Sequence, residues 1–183
     1  MLDSVGSPSV LIVVLNWNSC EETIAAIKSI AKMDYQNCRT VVIDNGSTDD
    51  SVEQLEKIAS DRVKFIRLPE NLGFTGGCNV GLDLAILKDD DYVWLLNGDA
   101  VTDVNTLSSL VRVAETDKTI GLVSPMIASL DEPSKLLNVG GLYEPELPSF
   151  QSTKDLRKAQ EWAAACPERI MLMGTALLIR GSP

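Results

Sequence analysis

The sequence predicts an α/β fold with a mostly parallel central sheet. Apolar runs rich in valine, isoleucine and leucine, beginning with residues 10–15, alternate with segments whose apolar residues have helical spacing. A run that is apolar throughout is typical of a strand buried on both faces. Strand and helix alternate four times before a fifth strand, which predicts right-handed crossovers and helices on both faces of the sheet. The 183 residues, 45% of them apolar, suffice for one domain.

Five strands are predicted in the first 125 residues, and each ends at residues that break a strand. They cover residues 10–15, 40–43, 63–68, 92–96 and 120–123. The third strand is stopped by Pro69. The second runs into Asp44-Asn45-Gly46, a sequence that is typical of a tight turn.

A helix is predicted after each of the first four strands. The first helix begins at Ser19, where Glu22 three residues later completes a capping box. The second begins at Ser47 or Thr48, and the fourth is capped by Asp103, because short polar side chains satisfy the free N–H groups of a first turn.

Beyond residue 125 the regular alternation ends. The predicted elements there are a hairpin at 136–143, a proline-rich loop at 144–151, a weak helix at 154–165 and strands at 169–173 and 176–180. We therefore divide the chain into residues 1–125 and an incomplete portion at residues 126–183. Because the chain stops directly after a predicted strand, we expect a C-terminal truncation, natural or engineered.

Composition excludes several classes of function. The formal charge of −10 disfavours nucleic acid as the main partner and docking on an anionic membrane. The sequence contains no histidine, which removes Ser-His-Asp and Cys-His mechanisms and histidine–zinc sites. Carboxylates would then have to serve as the general acid and base, and a bound metal would be a hard ion with oxygen ligands. Four scattered cysteines, no signal peptide and no apolar run long enough to span a bilayer predict a cytoplasmic protein.

Amides and carboxylates follow four consecutive predicted strands. They are Asn16, Asn18, Asp44, Asn45, Asn71, Asn97 and Asp99. Ligands of open parallel sheets bind beyond the carboxyl ends of the strands, so these side chains predict a polar crevice. The alternative is that they simply form turns. Trp17, between two of these residues, either stacks on a ligand or packs against the protein.

Individual positions suggest particular contacts. The Asp44 carboxylate can accept from a ring N–H such as the N3–H of a pyrimidine, or it can serve only a turn and a helix cap. The glycine-rich loop at residues 71–77 precedes a predicted helix at 78–87; its glycines permit close approach of a ligand or serve the loop's own turns. Asn79 within that helix predicts a side chain that faces the crevice, since asparagine is mildly unfavourable in helices.

Asp99 is the strongest chemical signal. A carboxylate at the end of a buried strand costs solvation unless something offsets its charge. A divalent ion shared with a diphosphate would do so, whereas the alternative is an aspartate in a surface turn. The acidic run at residues 89–91 precedes its strand and therefore lies at the opposite edge of the sheet.

Taken together, these segments resemble the family 2 glycosyltransferases, in particular the rhamnosyltransferase-like branch with the GT-A fold, an α/β/α sandwich. The matching segments are residues 10–18, 41–49, 69–77 with Asn79, 95–99 and 174–180. The resemblance implies inverting transfer of a sugar from a UDP- or dTDP-sugar to a saccharide or lipid-linked acceptor, with Mg²⁺ or Mn²⁺. Residues 1–125 would then bind the nucleotide sugar, and residues 126–183 would belong to the acceptor side.

The resemblance also implies roles for individual residues. Asn16, Asn18 and Asp44 would hold the base, Gly76 and Asn79 would shape the nucleotide pocket with Asn97 nearby, and Asp99 would bind the metal. The branch usually has Asn-Pro-Asp-Thr at this point, whereas Gly98 and Ala100 flank Asp99 here.

The catalytic residue is not assigned. The family's catalytic base lies in an acidic motif beyond the strand that ends at Arg180, and Glu144 and Glu146 are conceivable substitutes. We therefore expect donor binding with little transfer, peripheral membrane association only in a longer protein, and a homodimer through an uncovered strand at residues 176–179. The alternatives are a non-catalytic sugar-nucleotide-binding module and a nucleotidylyltransferase-type enzyme. The latter is disfavoured because no basic, glycine-rich loop follows the first strand.

Overall fold

The computed structural model describes residues 6–146 and 149–181. Its strands are β1 (Val10–Asn16), β2 (Cys38–Asp44), β3 (Val63–Arg67), β4 (Tyr92–Asn97), β5 (Leu122–Val123), β6 (Ile127–Ala128), β7 (Leu136–Asn138), β8 (Gly140–Tyr143), β9 (Phe150–Thr153), β10 (Ile170–Met171) and β11 (Ala176–Arg180). Its α-helices are α1 (Cys20–Ile30), α2 (Ser51–Glu56), α3 (Gly73–Lys88), α4 (Thr106–Ala114) and α5 (Leu156–Ala165).

The centre of the fold is a six-stranded sheet in the order β3-β2-β1-β4-β11-β5. The first four strands in this order are parallel, and β11 is antiparallel to both of its neighbours. The predicted mostly parallel α/β sheet is therefore confirmed. Because β1 and β4 lie inside the sheet, both of their faces are covered, which explains why their sequences are apolar throughout.

Two apolar clusters cover the two faces of the sheet. Val10, Ile12 and Val14 of β1 pack in a cluster with residues of α1 and α4. Leu11 and Val13 point to the other face and pack in a cluster with residues of α3. The alternation follows from strand geometry, which sends successive side chains to opposite faces.

The predicted start of α1 at Ser19 is confirmed, but its capping box and the predicted starts of α2 and α4 are not. Ser19 is the N-cap of α1, but among the described residues it forms no side-chain cap with the backbone, so the Ser19–Glu22 capping box is not formed. Helix α2 begins later than predicted, after Asp50, and α4 begins after Asn105 rather than at Asp103.

The glycine-rich segment is helical rather than a loop. Helix α3 begins at Gly73, and its glycines let it lie directly on β1. A Cβ on Gly81 would come within 2.5 Å of Val13 Cγ1, and one on Gly77 within 2.4 Å of Leu15 Cδ1. Close packing of helix on strand therefore requires the small residues that the sequence had suggested for ligand approach.

The second portion departs from the prediction in its pairings. The predicted hairpin at residues 136–143 is absent within the described residues, because β7 pairs with β6 while β8 pairs with β9 and β10. Strand β11 is not an uncovered edge, since β4 and β5 flank it and Ala176 and Leu178 are buried. In the described parts of the chain, no helix has the length and apolar character needed to cross a membrane.

Candidate functional site

The polar residues predicted at the strand ends meet at one edge of the sheet. Asn16 lies beside Asp44 in the β1–β2 register, and Leu15 lies beside Asn97 in the β1–β4 register. Parallel strands end on the same side, so the turns that follow β1, β2 and β4 converge there. The predicted crevice edge thus has a definite position in the fold.

A buried hydrogen-bond network ties the ends of β1 and β2 together. Asn16 Nδ2 donates to Asp44 Oδ1 at 2.8 Å and to Ser47 Oγ at 3.1 Å, while Asn16 Oδ1 accepts from Thr23 Oγ1 at 2.8 Å. The other carboxylate oxygen, Asp44 Oδ2, accepts from the Ser47 backbone N–H at 3.0 Å, and the Ser47 hydroxyl also donates to Asp44. All four residues are buried, and their hydrogen bonds compensate for the lost water.

This burial favours the second of the two roles expected for Asp44, a structural role in the turn. Asp44 and Asn16 are both 0% exposed. Their polar atoms serve the protein itself, so a ligand above the sheet meets other residues first. The network extends to the turn after β1: the Asn18 backbone N–H donates to Ser47 Oγ at 2.9 Å, and Asn18 Oδ1 accepts from Thr48 N at 2.9 Å.

Asn45 ties the end of β2 to the start of α3. Its amide donates to Asn71 Oδ1 at 3.0 Å and to the Gly73 carbonyl at 3.1 Å, and its Oδ1 accepts from Leu72 N at 3.0 Å. The adjacent Gly46 has a φ of +72°, and a Cβ there would lie 2.4 Å from the Glu70 carbonyl carbon. Only glycine fits this turn, so the end of β2 and the start of α3 are held in a fixed relationship.

A cavity of about 360 Å³ opens beside these turns. We call it the strand-end cavity; its wall includes Trp17, Glu22, Phe74, Asn97 and Asp99. Trp17 is 54% exposed and Phe74 is also exposed, so both aromatic rings present apolar surface to solvent. Asn97 and the exposed Asp99 therefore lie in the cavity where the sequence predicted a ligand.

Glu22 and Phe74 are residues of this cavity that the sequence did not single out as ligands. The spacing of Glu22 from Ser19 favoured a capping role, and that signal concealed its place in the wall. Phe74 falls in the segment interpreted as a glycine-rich loop. Its helical position in α3, next to β1, is what carries its ring to the cavity.

The charge of the strand-end cavity limits what it can bind. None of its lining residues is lysine or arginine in the part of the chain that the structure describes, whereas Glu22 and Asp99 are acidic. Asn97 Oδ1 is buried and has no hydrogen-bond partner among those residues. A phosphate-bearing ligand would therefore need a cation of its own.

The oxygen donors at this point fit a hard divalent ion. Asp99 offers a carboxylate and Asn97 an unpartnered carbonyl oxygen, the ligand types that Mg²⁺ and Mn²⁺ prefer. In residues 6–146 and 149–181, no group of three or more acidic or cysteine side chains is arranged so that it could hold a metal ion. Mg²⁺ commonly binds through one or two carboxylates and the substrate's phosphates, so a complete protein cage is not required.

Several expected contacts lie outside this cavity. Gly76 and Asn79 are not in its wall; Asn79 is exposed on α3, and a Cβ on Gly76 would come within 2.6 Å of Leu72 Cβ. Glu144 forms a salt bridge with Arg169 and accepts from Gln151 Nε2 at 3.2 Å, away from the cavity. Glu146 is exposed and is likewise not a wall residue.

Comparison with known sequences identifies relatives of one kind. The sequence model described as "Glycosyl transferase family 2" matches residues 9–173. The galactofuranosyltransferase GlfT1 of Mycolicibacterium smegmatis is 28% identical over 68% of this chain and 41% of its own length. In Escherichia coli, the UDP-Glc:alpha-D-GlcNAc-diphosphoundecaprenol beta-1,3-glucosyltransferase WfaP is 28% identical over 60% of this chain and 42% of its own length. The chain thus spans less than half the length of these relatives.

Solved structures share the fold. TarS residues 1–349 from S. aureus superimposes with a TM-score of 0.64 at 19% identity, covering 94% of this chain and 47% of TarS 1–349. The mannosyltransferase PcManGT from Pyrobaculum calidifontis, solved with GDP-Man and Mn²⁺, gives a TM-score of 0.59 at 22% identity, covering 69% of this chain and 37% of its own. At these identities the likeness establishes the GT-A fold, which confirms the predicted fold class.

Proposed function

This chain belongs to glycosyl transferase family 2, and we propose that its strand-end cavity holds the nucleoside diphosphate of a sugar donor together with a divalent metal ion. The observation that carries the proposal is the composition of the cavity wall. Asn97 and Asp99 offer oxygen atoms at the end of β4, while no described wall residue is cationic. A diphosphate bound there requires a cation to offset its charge, and hard cations prefer oxygen ligands.

Trp17 supplies the surface for the base. Its ring is more than half exposed in the cavity wall, and stacking on an aromatic side chain stabilises a bound base by about 1–3 kcal/mol. Asn18, next to it, is held by Ser47 and Thr48. Asp44 contributes by positioning: it fixes Ser47, which in turn fixes the backbone beside Trp17.

A pyrimidine nucleotide, UDP or dTDP, is the donor class that we propose. Support comes from similar proteins: WfaP is named as a UDP-Glc enzyme, and TarS was solved with UDP-GlcNAc. PcManGT was solved with GDP-Man, so GDP-sugars belong in any test panel. For the acceptor we propose a saccharide or lipid-linked saccharide, the kind of acceptor that the name of WfaP describes.

The reaction that we propose is inverting transfer. An acceptor hydroxyl oxygen bonds to the anomeric carbon of the donor sugar as the bond to the diphosphate oxygen breaks on the opposite face, and the hydroxyl proton passes to a carboxylate base or to water. A bound divalent ion supplies charge neutralisation for the departing diphosphate. Asp99 would hold that ion, and Trp17 would orient the donor.

A second candidate, a non-catalytic sugar-nucleotide-binding module, is favoured by the positions of Glu144 and Glu146. Neither lies in the wall of the strand-end cavity, and Glu144 is engaged by Arg169. General base catalysis contributes about 10²–10⁴-fold to a rate, so a chain without a base would bind donor and transfer slowly.

A donor panel tests the proposal. UDP-, dTDP- and GDP-sugars are added with Mn²⁺, and the melting temperature and nucleoside diphosphate release are measured with and without saccharide acceptors. A ligand at 100 times its Kd adds about 2.7 kcal/mol to stability, which is readily measured as a thermal shift. We expect a pyrimidine donor to raise the melting temperature in Mn²⁺. Acceptor-stimulated release would favour the enzyme, and binding without release would favour the module. A panel without any shift would exclude both.

A further inference from the structure

A second cavity, of about 480 Å³, adjoins the strand-end cavity. We call it the lateral cavity; it lies between the segment from Asp99 to Thr106, the β6–β7 pair and the start of β11. Asp99 is in the wall of both cavities. A ligand in the lateral cavity would therefore end close to the point where the proposed function places the metal and the diphosphate.

The wall of the lateral cavity combines apolar and hydroxyl-rich surface. Its apolar part includes Leu96, Met126 and Leu130. Its polar part includes the hydroxyls of Thr102 and Thr106. Its volume lies within the range of small-ligand sites, about 300–1,000 Å³. Sugars match such a wall, because their C–H faces pack on apolar side chains while their hydroxyls bond to polar ones.

The lateral cavity is acidic. Asp99 and Asp103 are in its wall, and no lysine or arginine is among its described wall residues. A ligand that carried a phosphate or carboxylate inside this cavity would meet two negative charges with no protein cation to offset them. A divalent ion at Asp99 would be neutralised by the donor diphosphate, so it would leave little positive charge for a second anion.

Trp94 lies beneath the wall of the lateral cavity. It is fully buried in β4, and its Nε1–H has no hydrogen-bond partner among the described residues. Because Nε1 has almost no accessible surface, a ligand in this cavity contacts other residues of the wall.

From the composition of the wall and its charge, we infer that the lateral cavity binds the reacting end of an uncharged, hydroxyl-bearing acceptor, a neutral sugar attached to an apolar group. This inference rests on the proposed function for the identity of its ligand as an acceptor. Any phosphate of the acceptor then lies outside the cavity. The carboxylates of Asp99 and Asp103 accept from sugar hydroxyls, and the apolar wall contacts the ring and the attached group.

A matched pair of probes tests this inference on the whole 183-residue chain. 4-Nitrophenyl β-D-glucopyranoside is neutral, whereas 4-nitrophenyl β-D-glucuronide differs by a carboxylate in place of the hydroxymethyl group. Affinities are measured by ligand-observed NMR titration in EDTA, without nucleotide. We expect the glucoside to bind at least tenfold more tightly than the glucuronide, because of the two wall carboxylates. Equal affinities, or tighter binding of the glucuronide, would overturn the inference.

Two variants locate the effect in the lateral cavity. Asp103→Asn removes one wall charge, and Leu130→Lys adds a cation at a wall residue that is 73% exposed and so tolerates substitution. Both should narrow the preference for the glucoside to about threefold or less. Asp61→Asn is the matched control, an exposed aspartate outside the cavity, and should keep the full preference. A preference that survives both wall variants would place the probes elsewhere and overturn the inference.

The result is distinguishable from failure of the proposed function. UDP binding in Mn²⁺ is measured on separate samples of the same protein preparation, without EDTA. If UDP binds and the glucoside does not, the inference fails while the proposed function stands. If the glucoside binds with the expected preference and UDP does not, the cavity is confirmed as a neutral-sugar site and only its role as an acceptor site is lost.

Discussion

Asn16 donates a hydrogen bond of 2.8 Å to Asp44, and neither side chain is exposed to solvent. The bond joins the ends of β1 and β2 beneath the turns that form the site. Removal of the carboxylate would leave the Asn16 amide and the Ser47 N–H and hydroxyl with fewer acceptors in a buried place. Asp44, which the sequence suggested as a contact for the base, is thus a structural support of the turns after β1 and β2.

Asp44→Ala should therefore destabilise the domain by about 3 kcal/mol, because buried donors without partners cost about 1–3 kcal/mol each. Urea denaturation measures the change. Asp50→Ala is the control, since Asp50 is exposed and makes no side-chain cap hydrogen bond with the described start of α2; it should change stability by less than about 0.5 kcal/mol. If the Asp44 variant is as stable as the wild type, the buried hydrogen-bond network does not stabilise the domain.

Gly81→Ala should also be destabilising, although alanine is the better helix former by about 1 kcal/mol. The new Cβ would meet Val13 Cγ1 at 2.5 Å and Val13 Cβ at 3.1 Å, and valine in a buried strand has little freedom to move. We expect a net loss of about 1–3 kcal/mol by thermal or urea unfolding.

Alanine substitutions at two other glycines serve as comparisons for this prediction. Gly77→Ala meets mainly the flexible end of Leu15 and should cost less than Gly81→Ala, whereas Gly121 has nothing within 4 Å and should tolerate alanine. If all three variants unfold alike, contact between α3 and β1 is not the reason for the glycines.

Trp17→Ala should weaken UDP binding without lowering stability. The ring is more than half exposed, so little burial is lost, while loss of stacking should reduce affinity by about 1–3 kcal/mol, or roughly 5- to 150-fold. Equilibrium titration and melting temperature give the two readings. Leu87→Ala, at a residue that is 79% exposed near the end of α3, should alter neither. An unchanged affinity for UDP would remove Trp17 from the binding site.

Glu115 gives stability a defined dependence on pH. Hydrogen bonds from Lys118, Tyr92 and Arg180 lower its pKa from the ordinary 4.5 to about 2. Because the pKa of Glu115 is lowered in the folded state, its ionised carboxylate stabilises the fold fully above pH 4.5. This stabilisation is lost as the pH falls toward 2. Glu115→Gln should cost about 1 kcal/mol at pH 7, since the group is partly exposed, and the difference from wild type should shrink between pH 4.5 and 2.

The control is Glu53→Gln, which removes an exposed ion pair with Lys57 on α2. It should cost no more than about 0.5 kcal/mol at pH 7. A constant difference between the Glu115 variant and wild type from pH 7 to pH 2 would contradict the assignment of this pKa.

The strands and their polar ends were predictable because continuous apolar runs and turn residues are local signals. The strands predicted at residues 10–15 and 92–96 agree with β1 and β4 to within one residue at each end. The start of α3 was not, because glycines at residues 73–77 are read locally as a loop, whereas contact with β1 makes them helical. The pairing of β11 between β4 and β5 joins residues more than 50 positions apart, and no local pattern encodes it.

The residues of the candidate site were likewise predictable only in part. Asn97 and Asp99 were found because they follow a buried strand directly. Glu22 was assigned to a cap, since its spacing from Ser19 fits that motif as well as a ligand contact. Asp44 is buried in a network that also contains Asn16 from β1, Thr23 from α1, which donates to Asn16, and Ser47, which donates to Asp44, so the sequence around Asp44 alone could not show its burial.

The most direct test of the account is calorimetric titration of UDP into the wild type and Asp99→Asn, each in Mn²⁺ and in EDTA. We predict that Mn²⁺ tightens binding to the wild type by tenfold or more and that Asp99→Asn loses this gain, since a contact with a charged group contributes about 1.5–3 kcal/mol. Asp89→Asn is the matched control; its φ of 55° suits asparagine, it lies at the opposite edge of the sheet, and it should keep the full gain. Equal affinities in Mn²⁺ and EDTA for the wild type, or a full gain in Asp99→Asn, would contradict metal-dependent nucleotide binding at the end of β4.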